Sequence, residues 1–283
     1  MRLTTPDGAT IQLFELGNGA AAPAVLFAHA TGFHGHCWQP VGDALAHPSS
    51  ALDFRGFGDS TPPPGWAVDW RGYGTDALVA ARAHVAATGA PLVGVGHSMG
   101  GAALLMAALD EPALFAGLVL FEPIVMPAPV TTTPAVAPNS LAEGARRRRS
   151  TFASFDAAIA NFGSKPPMNA FTPASLEAYV RYGLDLGDDG QAHLKCTPEH
   201  EARTYEMGGT HGTFERLGDL RVPARYLSGR VEAAQPSAVT ELLAERTPGA
   251  DYHRLDHVGH FGPMEDPDAI AREIDRFAAG LDA

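Results

Sequence analysis

Ser98 lies in a glycine-rich stretch, GVGHSMGG at residues 94–101, which directly follows the apolar residues 91–93. Residues 96–100 match the pattern G-x-S-x-G, in which a sharp turn between a strand and a helix presents a serine hydroxyl. Glycines suit such a turn because side chains would collide where the backbone folds most tightly. The N-terminus of the following helix would stabilise negative charge on a substrate oxygen. The pattern predicts a nucleophilic serine for acyl transfer, and a tight turn without catalytic function is the alternative.

A serine hydroxyl is a poor nucleophile near neutral pH and needs a general base, usually a histidine that a carboxylate orients. His260 follows the last predicted strand, residues 252–255, within the sequence GHFG. We expect it at a strand end, in the same layer as Ser98. His29, His97 and His257 are the main competitors. His97 adjoins the serine but should point the other way out of the turn, and His257 precedes the loop, so supporting or structural roles are predicted for both.

The elements that must position these residues form an alternating pattern. Short apolar runs alternate with longer helical patterns, which predicts an α/β fold with a mostly parallel sheet covered by helices. Strands are predicted at residues 11–16, 24–28, 50–54, 92–95, 117–121, 224–228 and 252–255. Helices are predicted at residues 69–88, 99–109, 236–246 and 267–279. Ligands of such sheets bind beyond the carboxyl ends of the strands, so the chemistry is expected there.

The alternation stops between residues 127 and 212. Prolines cluster at residues 127–138, and the segments 141–161, 173–184 and 198–207 then read as helices without intervening strands. We therefore predict a core domain formed by residues 1–126 and 213–283, with residues 127–212 inserted as a helical cap. A helical insertion between two strands of such a sheet emerges at one edge, so we expect the cap over the strand ends.

The order of these motifs resembles that of the α/β-hydrolase superfamily, and the resemblance covers nearly the whole chain. Residues 53–60, DFRGFGDS, look like the superfamily's D-x-R-G-x-G-x-S turn, and residues 29–33, HATGF, stand where its H-G loop lines the oxyanion hole. The resemblance implies an eight-stranded, mostly parallel sheet with helices on both faces. It also implies a catalytic triad in the chain order serine, acid, histidine.

The resemblance further implies an oxyanion hole formed by the backbone N–H groups of Thr31 and Met99, the residue after the nucleophile. Ala30 stands where the superfamily usually has glycine, which changes the expected register of the loop. Gly32 or Phe33 could therefore supply the first donor instead of Thr31.

Two glutamates compete for the acid of the triad. Glu232 follows the seventh strand of the expected sheet, which is the usual place in the superfamily, but it lies in a polar, alanine-rich stretch typical of an exposed loop. Glu122 follows the apolar run at residues 118–121, where haloalkane dehalogenases and some lactonases of the superfamily carry their acid. A carboxylate at that buried strand end needs a partner. We favour Glu122 and keep Glu232 as the alternative.

Composition narrows the possible partners. The chain has 283 residues, 45% of them hydrophobic, and 32 acidic against 20 basic residues. The acidic balance argues against a nucleic-acid partner, and the one basic block, residues 146–149, is expected to be a solvated helix face.

Acidic residues interrupt the apolar stretch at 102–121, so no membrane span is predicted. Asp7 and Glu15 do not fit a signal peptide, and the two cysteines suit a reducing compartment, so a cytoplasmic location is expected.

Together these features predict a serine hydrolase that needs no cofactor and no metal and acts on a small to medium carboxylic ester or lactone. A C–C bond hydrolase, a cofactor-free haloperoxidase or a non-catalytic binding protein of the same fold are the alternatives. Several residues could line an apolar substrate pocket or could equally belong to the core, namely Phe33, Trp38, Phe57, Met126, Phe162, Met168 and Phe171. The sequence does not indicate an oligomeric state.

Overall fold

The computed structural model describes residues 1–127 and 139–281. Its main feature is an eight-stranded sheet in the order β1-β2-β4-β3-β5-β6-β10-β11. These strands are β1 Arg2–Thr4, β2 Thr10–Asn18, β3 Val25–Ala28, β4 Pro48–Asp53, β5 Leu92–His97, β6 Phe115–Phe121, β10 Ala224–Ser228 and β11 Asp251–Arg254. β2 pairs antiparallel with β1 and β4, whereas all the other pairs are parallel. The predicted α/β fold, with its mostly parallel sheet, is confirmed.

Helices cover both faces of the sheet because successive residues of a buried strand point to opposite faces. In β3, Leu26 packs into one apolar cluster, together with α2 Trp70–Thr88, α3 Met99–Asp110 and α9 Ser237–Arg246. Its neighbours Val25 and Phe27 pack into a second cluster on the other face. That cluster includes residues of α1 Gln39–Ala44 and α11 Pro267–Ala279.

The predicted core elements agree with the structure to within a few residues. β10 and α11 begin and end where the sequence places them. The first strand, β1, is not among the seven predicted strands, because a strand of three residues is too short to show an alternation of apolar and polar residues. It pairs with β2 through the register Leu3↔Ile11, at the edge of the sheet.

The predicted insertion differs from expectation in one respect. Residues 139–212, hereafter the inserted segment, contain the helices α4 Ser140–Arg146, α5 Phe155–Gly163, α6 Pro173–Gly183 and α7 Pro198–Glu206. They also contain a three-stranded antiparallel sheet of β7 Thr151–Phe152, β8 Leu184–Leu186 and β9 Ala192–Leu194. The prediction of helices without strands is therefore wrong. The first predicted helix is broken because Ser154 caps a new one, its side chain accepting the N–H of Ala157.

Two short helices, α8 Thr213–Arg216 and α10 Gly262–Glu265, complete the fold. The first residues of the predicted cap, 128–138, lie outside the described residues. Within the part of the chain that the structure describes, none of the helices has both the length and the apolar character needed to cross a membrane.

Candidate active site

Ser98 occupies a strained turn between β5 and α3. Its backbone has φ 55° and ψ −115°, a conformation that costs energy for any residue other than glycine. Hydrogen bonds to the neighbouring chain hold it there: the Ser98 N–H donates to Phe121 O at 3.0 Å, and the N–H of Ile124 donates to Ser98 O at 3.1 Å. The residue is 7% exposed. The predicted strand–turn–helix context of the motif is present.

The glycines of this turn are required by close contacts between main chains. A Cβ atom at Gly96 would lie 2.6 Å from the Cα atom of Gly101, and one at Gly100 would overlap the carbonyl group of Ala28. A Cβ atom at Gly101 would lie 2.8 Å from the Cβ atom of Pro123. The turn therefore packs directly on β3 and on the residues that follow β6, with no space for side chains.

Glu122 and His260 are in direct contact. The Glu122 side chain is fully buried at the end of β6, where its own backbone also has a positive φ of 44°. Its Oε1 accepts the N–H of Gly229 at 2.8 Å, and its Oε2 lies 2.6 Å from His260 Nδ1. Because a carboxylate can only accept, His260 Nδ1 carries the proton, and Nε2 is the nitrogen that can take one up.

Glu232 lies elsewhere. It is exposed in the loop after β10, and its backbone N–H donates to Ser237 Oγ at 3.1 Å. The structure thus brings the favoured carboxylate to His260 and leaves the alternative in solvent.

His97 contacts the main chain of His260. Its Nε2 lies 2.8 Å from the His260 carbonyl oxygen, so Nε2–H donates and Nδ1 carries the lone pair. That Nδ1 is buried and has no partner among the described residues. Burial, together with the nearby His260, holds the pKa of His97 well below its usual value, so this imidazole stays neutral. The predicted supporting role agrees with this contact.

The loop at residues 29–33 lies beside the serine turn. Thr31 Oγ1 is 3.5 Å from Met99 Sδ, so the two expected oxyanion donors are neighbours. The alternative donor Phe33 uses its N–H in a turn with Ala30 O at 3.2 Å. Gly32 has a φ of 80°, which favours glycine.

A buried histidine fixes this loop. His29 Nε2 accepts the N–H of Phe54 at 3.0 Å, and Nδ1–H donates to Ala30 O at 2.8 Å. Burial lowers the pKa of His29 to about 3, so the ring is neutral at physiological pH and this hydrogen-bonding pattern is retained. His29 is therefore a structural residue and not a competing base.

Comparisons with known proteins agree with this geometry. A family model described as "Alpha/beta hydrolase family" matches residues 25–273. The chain belongs to the alpha/beta hydrolase family. A curated relative, the "Putative carbamate hydrolase RutD" of Variovorax paradoxus (strain S110), is 26% identical over 283 residues, covering 95% of this chain and 97% of that protein.

Solved structures show the same fold for this alpha/beta hydrolase. The peroxisomal alpha-beta-hydrolase Lpx1 of Saccharomyces cerevisiae matches with a TM-score of 0.78 and 17% identity, covering 99% of this chain and 84% of that one. The esterase RhEst1 of Rhodococcus sp. ECU1013 matches with a TM-score of 0.72 and 22% identity, covering 99% and 98%. The superfamily resemblance read from the motifs is thus confirmed.

Three arginines of the basic block, Arg146 to Arg148, form ion pairs within this alpha/beta hydrolase. Arg146 binds Glu199 and Glu206 on α7. Arg148 is not part of a solvated helix face, contrary to the prediction, since it is largely buried against Glu201 and the Tyr179 hydroxyl. The break after α4 allows this side chain to turn inward.

The Arg148–Glu201 pair also contacts the loop beside the serine. A Cβ atom at Gly32 would lie 2.6 Å from Glu201 Oε1, so the carboxylate rests directly on this glycine. Sequence reasoning missed this contact, because it depends on how the inserted segment packs on the core.

An aromatic layer separates the inserted segment from the core. Phe33 lies with its ring centroid 5.2 Å from that of Tyr179 and 5.6 Å from that of Phe261. Phe162, Met168 and Phe171 belong to the same apolar cluster. By contrast, Trp38 and Phe57 are fully buried in the core clusters of the sheet. Of the residues named as possible pocket lining, Phe33 and Phe171 pack against Phe261, the residue that follows His260.

Proposed function

We propose that this protein is a serine hydrolase that cleaves a small to medium carboxylic ester or lactone, with Ser98 as nucleophile, His260 as general base and acid, and Glu122 as the acid of the triad. The observation that carries the proposal is the Glu122 carboxylate, which binds His260 Nδ1 at 2.6 Å at the same edge of the sheet as the strained Ser98. A buried carboxylate that orients a histidine near a serine on a strand-to-helix turn is the arrangement that acyl transfer requires.

The reaction would proceed in two matched halves. Ser98 Oγ attacks the carbonyl carbon while its proton passes to His260 Nε2, and the carbonyl electrons move onto oxygen. The N–H groups of Thr31 and Met99 would bind this oxyanion. Collapse of the intermediate expels the alcohol, which takes the proton from Nε2, and leaves an acyl-enzyme. Water then repeats the sequence, releasing the acid and restoring Ser98.

Glu122 would contribute by stabilising the imidazolium that forms on His260 in each half. Its second oxygen is held by the Gly229 N–H, so the carboxylate cannot turn away from the ring. His97 would act as a positioning residue. It holds the His260 carbonyl, and it stays neutral, so no second positive charge opposes protonation of His260.

Carbamates are the second substrate class, favoured by the 26% identity with the relative named as a carbamate hydrolase. A carbamate carbonyl would be attacked by the same serine. It is less electrophilic than an ester carbonyl, because the nitrogen lone pair is delocalised into it. Competing hydrolysis of matched ethyl acetate and ethyl carbamate would rank the two classes.

The direct test is hydrolysis of 4-nitrophenyl acetate by the wild-type protein and by Ser98→Ala. We expect turnover by the wild type and none above background for the variant, with equal circular dichroism spectra and melting temperatures. Equal rates for the two proteins would contradict Ser98 as the nucleophile. Wild-type turnover that stops after one equivalent would favour a binding protein over an enzyme.

A further inference from the structure

The inserted segment carries an apolar groove of about 330 Å³, a size typical of small-molecule sites. Its walls include Ile159 on α5, Leu176 on α6, and Met168 and Phe171 between these two helices. Its rim includes Asn169 and Glu177. The rim residues are exposed, and Glu177 is the one charged side chain among the described residues that line the groove. Such a groove suits a neutral apolar group and disfavours an anionic one.

Phe171 is the wall between this groove and the candidate active site. Its ring centroid lies 5.7 Å from that of Phe261 and 6.1 Å from that of Phe33. Phe261 in turn lies 5.1 Å from the His260 ring. The backbone is fixed at the same place, since the Thr172 N–H donates to Met264 O at 3.0 Å, just beyond the turn that carries His260. The groove therefore approaches the site from the His260 side, one aromatic layer away.

The position of the groove on the His260 side of the site determines which part of an ester it could bind. A general acid must lie next to the group that it protonates, so the leaving alcohol of the proposed reaction sits beside His260. Resting on the proposed function, we propose that the groove binds an apolar alcohol moiety of the substrate, with the Phe171 side chain turning aside to let it reach Ser98. Ser98 is 7% exposed, so most of its surface is covered by neighbouring residues.

Two matched ester series test this assignment. The alcohol series comprises the acetates of ethanol, butanol, hexanol and octanol, and the acyl series comprises the ethyl esters of acetic, butanoic, hexanoic and octanoic acids. Acid release is followed by pH-stat titration, and kcat/KM is obtained for each ester. We expect kcat/KM to rise by about fourfold per methylene along the alcohol series, as for burial of a methylene group, and to change little along the acyl series.

Substitutions in the groove test whether the rise of kcat/KM along the alcohol series depends on binding there. Leu176→Trp and Met168→Trp fill the groove from two different elements, so one remains informative if the other folds poorly. Both should abolish the rise along the alcohol series, so that kcat/KM for octyl acetate falls to a value close to that for ethyl acetate. Phe171→Ala should make the rise steeper. Leu186→Trp is the matched control, because Leu186 is 63% exposed on β8 and does not line the groove.

The outcomes separate the two proposals. A rise along the alcohol series that is lost in the filled variants and kept in Leu186→Trp supports the groove assignment. A rise confined to the acyl series, a flat profile in both series, or a rise unchanged by the filled variants overturns it while leaving the hydrolase proposal intact. If the wild type hydrolyses neither ethyl acetate nor 4-nitrophenyl acetate, the proposed function itself fails, and this assignment fails with it.

Discussion

Ser98 is held on the sheet side by main-chain hydrogen bonds to Phe121 and Ile124, whereas the inserted segment faces the site with aromatic side chains such as Phe171 and Tyr179. On the first side, glycines let backbones touch, and the positive φ angles of Ser98 and Glu122 are imposed by the strands around them. On the second side, the contacts are between rings that can rotate and repack. The sheet side therefore holds the catalytic residues in a fixed geometry, whereas the inserted segment sets the shape of the space available to a substrate.

This difference separates two kinds of sensitivity. An added atom on the sheet side meets backbone, which cannot move without shifting a strand. A changed side chain in the aromatic layer meets other side chains, which can adjust at modest cost. We expect substitutions on the sheet side to affect turnover or folding, and substitutions on the inserted side to affect which substrate is accepted.

The largest effect is expected at the acid. Glu122→Gln keeps the acceptor for the Gly229 N–H but presents an amide donor to His260 Nδ1, which would favour the wrong tautomer. Turnover should fall by about 10³–10⁴-fold, as for other triads that lose the carboxylate, with little change in melting temperature. Glu232→Gln is the control and should change turnover by less than about twofold. The opposite ranking, measured by steady-state hydrolysis of 4-nitrophenyl acetate, would move the acid to the loop after β10.

Adding a methyl group at glycine compares the packed serine turn with an exposed helix of the inserted segment. Gly96→Ala would place Cβ 2.6 Å from the backbone of Gly101 and should lower the free energy of unfolding by about 1–3 kcal/mol. Gly144→Ala, in α4 of the inserted segment, meets no atom within 4 Å and should raise it by up to about 1 kcal/mol through helix propensity. Urea unfolding measures both, and equal effects would argue against the proposed difference between the two sides.

A smaller effect is expected at His97. His97→Asn is too short to reach the His260 carbonyl and should lower kcat by about tenfold, the scale of one lost hydrogen bond, with KM nearly unchanged. His97→Gln carries an amide N–H at a reach close to that of Nε2 and should recover most of the rate. If both variants lose activity equally, burial rather than the hydrogen bond explains the need for histidine.

The last predicted effect is a change in the pH dependence of stability. The pKa of His97 in the folded chain lies well below 6.5, so below pH 6.5 the unfolded chain binds a proton there that the folded chain does not. Stability from this group is present above pH 6.5 and is lost as the pH falls toward the folded pKa. His97→Asn should therefore reduce the slope of unfolding free energy against pH by about 1.4 kcal/mol per pH unit between pH 6 and 5.

The control for this measurement is His97→Gln, which also lacks the titrating imidazole. Urea unfolding at several pH values should give His97→Gln the same reduced slope as His97→Asn, because both variants remove the group whose pKa is lowered. A slope for His97→Asn that matches the wild type would show that His97 also binds its proton in the folded chain.

Much of the fold and part of the site could be predicted from the sequence. Alternation of apolar residues places the main strands and helices, and the glycine pattern around Ser98 reports a steric requirement that the structure displays directly. His260 could be placed beyond the last predicted strand, because that strand and the turn at GHFG are close in the sequence. These features are local, so a single stretch of chain contains the signal.

The rest depends on contacts between distant parts of the chain. Glu122, and not Glu232, contacts His260 because the loops after β6, β10 and β11 meet at one edge of the sheet, where the Gly229 N–H also binds Glu122. No local pattern in the sequence records this meeting. The burial of Arg148 depends on α7 supplying Glu201. The strands β7, β8 and β9 have two or three residues each, too few to show an alternation.

The most direct test of the account is the intact mass of the protein after exposure to a fluorophosphonate, for the wild type and for Ser98→Ala. Such a probe labels a serine only when the base and the oxyanion donors activate it. We predict a single adduct on the wild-type chain that is absent from Ser98→Ala. A folded wild-type protein that takes up no adduct, or an adduct that persists in Ser98→Ala, would contradict the assignment of Ser98 as an activated nucleophile.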